Sequence, residues 1–307
     1  MGIGIPTGGK LPVRQYLIGR DMKEEPVWQI RFYGARGSTP VCEKGFQLFG
    51  GNTTCIYADL LINDRSKMIV IFDAGTGIRK LGREIMQGLL PETEFIFLVF
   101  THFHWDHIQG FPFFDPAYDP NKKIAIFFPR DEMKDQDLKH IFEVQMQKEY
   151  FPVPLNRMGA DLQFFTAEEY ENYLKMEEYV DFKYLMHCHP SGAFSYRMEA
   201  CGRSVVICTD LEHGTSINPE VVAFCRDADL LIHDAQYTDE QLNEHRGWGH
   251  SSYSQAVAVA ELANAKQLIF THHDPDHDDE FLLAVVEKYQ KIFPNCALAR
   301  EGMEVCV

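Results

Sequence analysis

The chain has 307 residues, 45% of them hydrophobic and 13% aromatic, with a formal charge of −16. That is enough apolar material for one large domain with a substantial core, and no apolar run approaches the ~20 residues of a membrane span. The acidic field repels a polyanion such as tRNA or duplex DNA, and no Lys/Arg cluster offsets it.

In chain order, residues 1–26 read as a loosely specified N-terminal extension ending at Glu24-Glu25-Pro26. Gly-rich Met1 to Lys10 lacks the apolar core of a secretory signal, so cytoplasmic residence is the expectation. Residues 27–307 form the main domain. Alternating Trp28-Gln29-Ile30-Arg31-Phe32-Tyr33 predicts a strand, closed by the turn-rich Gly34-Ala35-Arg36-Gly37-Ser38-Thr39-Pro40. A second strand runs through Cys55-Ile56-Tyr57-Ala58, and a third, Met68-Ile69-Val70-Ile71-Phe72, ends at Asp73-Ala74-Gly75. Helical pattern follows from Ile78 to Leu89. The apolar run Phe95 to Phe100 then delivers the chain to His102.

From about 111 to 184 the character changes. Aromatic, proline-rich Phe111-Pro112-Phe113-Phe114 and Tyr150-Phe151-Pro152 bracket a helix candidate, Met133 to Lys148, and the stretch reads as an inserted, aromatic-rich cap. Its Phe113, Phe114, Tyr118, Tyr150 and Phe151 either stack on a substrate base or pack the cap itself. Beyond it, Val205 to Cys208 ends at Asp210, Leu230 to Ile232 at His233-Asp234, and Gln267 to Phe270 at His272-His273. Polar, metal-type residues close one apolar strand after another, which predicts a layered α/β sandwich with its site along one edge. Eight scattered cysteines form no C-x-x-C pair and read as reduced, partly buried thiols.

His102, His104, Asp106 and His107 fall within six positions after a buried strand. Such spacing lets imidazoles and a carboxylate converge on two cations, and these donors suit zinc, with manganese or iron as alternatives. Each cation needs further donors, and His189, Asp210 and His272 supply candidates at other strand ends.

The run H-x-H-x-D-H, with Asp73, His189, Asp210 and His272 in the matching order, resembles the metallo-β-lactamase superfamily. The resemblance implies a four-layer αβ/βα sandwich and two divalent metal ions. It implies that His102, His104 and His189 hold one cation, that Asp106, His107 and His272 hold the other, and that Asp210 bridges them. Asp73 then orients the histidine loop. His187 beside His189, and His273 beside His272, remain alternative ligands. Gly249-His250-Ser251-Ser252 and His233-Asp234-Ala235-Gln236 resemble the G-H-S-T and H-E-A-T segments of tRNase Z and its phosphodiesterase relatives. Tyr33 to Pro40, with Gly50-Gly51-Asn52-Thr53, resembles a bacterial branch that includes PhnP-like enzymes and cyclic-nucleotide phosphodiesterases.

These likenesses imply a phosphodiesterase with catalytic His250, Asp234 and Asp106. Metal-activated water attacks phosphorus, and His250, held by Asp234, protonates the leaving group. A structural reading of His250 is the neighbour of a helix cap at Ser251. Arg36, Ser38 and Asn52 are candidate phosphate contacts. The acidic charge favours a small phosphodiester, a cyclic nucleotide foremost, over a large nucleic acid, and relatives bring the expectation of a homodimer. The alternatives are a carboxylic-ester, lactone or thioester hydrolase at the same metals, and a non-catalytic metal-bound sensor.

Overall fold

Alternation along the first predicted strand fixes which way its side chains face. In the computed structural model, which describes residues 27–62, 65–91, 95–130, 135–166 and 180–307, it becomes β1 (Val27–Gly34). Trp28, Ile30 and Phe32 are fully buried there, while Val27, Gln29 and Arg31 between them are only half-buried. β2 (Cys55–Ile62) and β3 (Arg65–Phe72) continue the antiparallel meander. Helix α1 (Ile78–Met86) crosses to β4 (Phe95–Val99), which is parallel to β3. After the one-turn helix α2 (Trp105–Ile108) comes β5 (Lys123–Phe127), then α3 (Asp135–Gln145) and β6 (Asp161–Phe165). With β13 (Glu304–Cys306) on the far side of β1, these strands make a seven-stranded sheet in the order β13-β1-β2-β3-β4-β5-β6.

The second sheet has six strands in the order β12-β11-β10-β9-β8-β7. β7 (Asp181–His187), β8 (Ala193–Ala200) and β9 (Arg203–Cys208) are antiparallel. β10 (Leu230–Asp234), β11 (Leu268–Thr271) and β12 (Cys296–Leu298) then run parallel to β9. Helices α4 (Pro219–Phe224), α5 (Asp239–Glu244), α6 (Tyr253–Leu262) and α7 (Asp279–Gln290) lie between or after these strands.

The continuous apolar run of β9 shows why the layers stack. Val205 and Ile207 enter the core between the sheets, with Phe32, Phe72 and Tyr196. Val206 and Cys208 point the other way, into a second core with Tyr253, Val259 and Leu282 of α6 and α7. A strand buried on both faces needs apolar residues at every position. Leu81 and Ile85 of α1, and Leu138 and Phe142 of α3, pack on the seven-stranded sheet, which completes the αβ/βα sandwich.

The stretch expected as an inserted cap is aromatic, and Phe111, Phe142 and Phe164 join the main core. Its middle is less separate than expected, because β5 and β6 extend the first sheet in parallel register from β4. Phe114 is buried, whereas Phe113 and Tyr150 are exposed and Phe113 packs edge-on against Phe151. All eight cysteines are free. The N-terminal extension lies outside the described residues, and among those described no helix is long and apolar enough to cross a membrane.

Candidate metal centre

Six strand ends converge on one edge of the sandwich. Asp73 follows β3, the His102–His107 run follows β4, His189 follows β7, Asp210 follows β9, Asp234 ends β10 and His272 follows β11. Asp73, Asp210 and His272 all hold left-handed backbone, at φ of 61°, 58° and 62°, and Ser38 does so at 61°. Non-glycine residues rarely adopt that region, and such strain concentrates where a side chain must be aimed.

The residues form two adjoining donor groups. His102, His104 and His189 offer ligand atoms within 4.8 Å of one another, as do Asp106, His107, Asp210 and His272. In the first, His189 Nε2 is 3.1 Å from His104 Nδ1. In the second, His272 Nε2 lies 3.2 Å from His107 Nε2 and 3.1 Å from Asp106 Oδ2. Asp210 reaches both groups, with Oδ2 3.2 Å from His107 Nε2 and Oδ1 3.7 Å from His102 Nε2. His187 and His273 stand apart: His273 Nε2 donates to the Ala299 carbonyl at 2.8 Å, and His187 belongs to neither donor group.

Outer acceptors fix the rings. Asp73 Oδ2 accepts from His107 Nδ1 at 2.8 Å, while its two oxygens also accept from the Thr101 amide and hydroxyl. His102 Nδ1 meets the Thr101 hydroxyl at 3.1 Å, and His189 Nδ1 donates to the Gly249 carbonyl at 3.1 Å. Gly249 has φ +92°, and a Cβ there would sit 2.0 Å from His189 Nδ1, so only glycine fits. Glu212 holds the same loop by accepting from the Gly247 and Gly249 amides.

The electrostatics fit cations. Burial, with help from neighbouring imidazoles, keeps His102, His104 and His189 below the usual histidine range, so their lone pairs are free. Buried His102 Nε2 makes no hydrogen bond. Burial works against charge on His107 and His272 too. Asp210 and Asp106 nevertheless outweigh it, raising His107 well above its ordinary value and His272 to about 9. The carboxylates thus favour positive charge between them, the preference that a divalent cation satisfies. Imidazole and carboxylate donors suit zinc, manganese or iron.

Beside this centre, Asp234 Oδ2 accepts from His250 Nδ1 at 3.0 Å, and Asp234 Oδ1 accepts from the Ser251 amide at 2.7 Å. The His250 ring stacks on His272 with centroids 4.9 Å apart. The two groups open into a cleft of about 450 Å³ that Ser38, Phe103, Trp105, Asp106 and His250 help to line.

Three expectations are corrected. Arg36 is 1% exposed, and its guanidinium donates to the carbonyls of Gly50, Asp274 and His277, so it is no phosphate clamp. Asn52 does not line the cleft; its carbonyl accepts from the Ala35 and Arg36 amides. The residue capping α6 is Ser252, whose hydroxyl accepts from the Gln255 amide, rather than Ser251. Ser38 does reach the site, where its amide donates to Asp106 Oδ2 at 2.8 Å. Sequence reasoning gave no role to Trp105, Glu212 or Gln236. For Gln236, the signal was a longer amide where the resembled segment has threonine.

Two mixed sheets between helix layers, with histidines and aspartates converging at their strand ends, define a metallohydrolase-type sandwich. The model of the beta-lactamase superfamily domain matches residues 69–273, and the chain belongs to the metallo-β-lactamase superfamily. It is 39% identical over 110 residues to Ribonuclease Z of Synechocystis, 34% of this chain and 32% of that protein. The match thus spans about a third of that curated relative. Identity is 23% over 90% of the chain and 96% of Ribonuclease Z from Haloarcula marismortui. Human tRNase Z, short form, superposes with a TM-score of 0.60 and 20% identity, over 90% of this chain and 98% of that one. A diphosphatase of the PhnP family gives 0.60 and 18%, over 92% and 97%.

Proposed function

We propose that residues 27–307 form a dinuclear metal-dependent phosphodiesterase acting on small phosphodiesters, cyclic nucleotides foremost, with His250 as general acid. The observation that carries this reading is the His250–Asp234 pair, 3.0 Å apart, set beside two buried donor groups. His102, His104 and His189 would hold one cation, Asp106, His107 and His272 the other, with Asp210 shared and zinc the favoured metal. Two divalent cations so held supply Lewis-acid charge to a phosphoryl group and a nucleophile from water.

The chain's own residues do the rest. Asp73 and the Gly249 carbonyl hold rings in the tautomer that leaves Nε2 as donor. Asp106, in the cleft wall, keeps a catalytic as well as a ligating part. Asp234 takes one nitrogen of His250 and leaves the other to the cleft. When the ester P–O bond breaks, its electron pair goes to the departing oxygen, and His250 gives that oxygen a proton. Histidine suits this exchange near neutral pH.

A second reading, cleavage of structured RNA, is favoured by the name Ribonuclease Z carried by the relatives. The formal charge of −16 opposes it, since a structured RNA needs phosphate-binding cations spread over a wide face.

The test is turnover of bis(p-nitrophenyl) phosphate, a panel of cyclic nucleotides and a tRNA precursor, after loading with zinc, manganese or iron. Protein that holds two metals yet cleaves no diester sinks the proposal, while cleavage of the precursor alone moves it to RNA. His250→Ala should slow cyclic-nucleotide cleavage by about 10²–10⁴-fold and nitrophenolate release far less. An equal loss on both would remove the acid role.

A further inference from the structure

The two histidines of the second donor group are held differently. His107 donates its Nδ1–H to a carboxylate, Asp73 Oδ2, at 2.8 Å. His272 donates to a neutral amide, Gln236 Oε1, at 2.9 Å, with the carboxylate oxygen Asp234 Oδ2 farther from the same nitrogen, at 3.6 Å. The other end of that amide is engaged as well, with Nε2 donating to the Ser38 hydroxyl at 3.3 Å and the Tyr237 hydroxyl at 3.2 Å. Ser38 in turn donates its amide to Asp106 Oδ2, and that same oxygen lies 3.1 Å from His272 Nε2.

The contacts close a ring: Gln236 to His272, His272 to Asp106, Asp106 to Ser38, and Ser38 back to Gln236. Gly37 lies against this ring with no slack, because a Cβ there would fall 2.4 Å from the His272 imidazole and 3.0 Å from Gln236 Oε1. None of these contacts touches His102, His104 or His189.

We propose that Gln236 is a positioning residue that sets the hold of the second group on its cation, through His272 directly and through Asp106 by way of Ser38. The first group is independent of it. A neutral acceptor makes the imidazole a weaker donor than a carboxylate would, so the two histidines are unequal by construction. Outer partners of ligating histidines typically change metal affinity by about 10–100-fold. This inference rests on the two-cation reading above.

The experiment is a titration of chelator-stripped protein with cobalt(II), followed by its visible absorption, which reports uptake without any turnover. Wild type should take up two ions in separable steps. Gln236→Met keeps length and burial but loses the acceptor. It should weaken by about 10–100-fold the step that His272→Ala removes, and leave unchanged the step that His189→Ala removes. Gln236→Glu restores an acceptor and should hold that ion at least as tightly as wild type.

Equal weakening of both steps in Gln236→Met, no weakening of either, or a loss in Gln236→Glu as large as in Gln236→Met, would overturn the assignment. Wild-type protein that takes up no second ion would overturn the two-cation reading and this inference with it. That outcome is seen before any Gln236 variant is compared.

Discussion

Arg36 shows how far a single side chain can sit from what its neighbours in sequence suggest. In Gly34-Ala35-Arg36-Gly37 it reads as a loop guanidinium free to meet a phosphate. Two of its acceptors, the Asp274 and His277 carbonyls, lie 238 and 241 residues away, and nothing local announces them. Its backbone also bridges to both Thr53 and His273, so the loop after β1 ties the two sheets together at the site edge. Lysine cannot reproduce the planar fork, and hydrogen bonds from a charged group contribute about 1.5–3 kcal/mol each. Arg36→Lys should therefore lower unfolding free energy in urea by about 2–4 kcal/mol while leaving KM for a small diester unchanged. A raised KM with wild-type stability would restore the phosphate role. By contrast, His102 to His107 were legible, because residues so close in sequence must share one place in space.

At the scale of elements, strand ends were the readable feature. Continuous apolar runs such as Met68 to Phe72 and Val205 to Cys208 read as strands buried on both faces, and each hands a polar residue to the site. The stretch between 111 and 184 was less readable. Its strands are short, Lys123–Phe127 and Asp161–Phe165, and their parallel pairing depends on partners that no local pattern names. Helix α6 was legible, though not its cap. Ser252 and Gln255 form a reciprocal capping box one residue beyond Ser251, because Ser251 is already engaged with Asp234 and the Leu211 carbonyl. Ser252→Ala should cost about 1 kcal/mol of stability in denaturant unfolding. The same loss from Ser251→Ala, with none from Ser252→Ala, would reverse that assignment.

For the molecule as a whole, buried histidines cost stability in acid, and His213 behind the centre is one of them. His213 stacks on His233 with centroids 5.5 Å apart. Burial, then the neighbouring His233 and His187, lowers its pKa to about 3. The unfolded chain takes up that proton near pH 6.5, so the folded state loses stability as pH falls below that value, until about pH 3. At pH 5 the loss from this one group is about 2 kcal/mol relative to pH 7. With chelator present, His213→Gln should flatten the fall in urea-unfolding free energy between those pH values by that amount. An unchanged slope would show that His213 contributes nothing to it.

Both donor groups draw on both sheets. The first takes His102 and His104 from the end of β4 and His189 from the end of β7; the second joins Asp106 and His107 to Asp210 and His272 from β9 and β11. Nearby, the sheets also meet through the Phe194 amide on the Thr101 carbonyl, at 3.0 Å, and the Tyr196 hydroxyl on the Phe100 carbonyl, at 2.6 Å. An ion held in either group would act as a rivet through two plates. Metal supply would then govern the stiffness of the sandwich as well as its chemistry, and a starved molecule would be a looser one before it was an idle one.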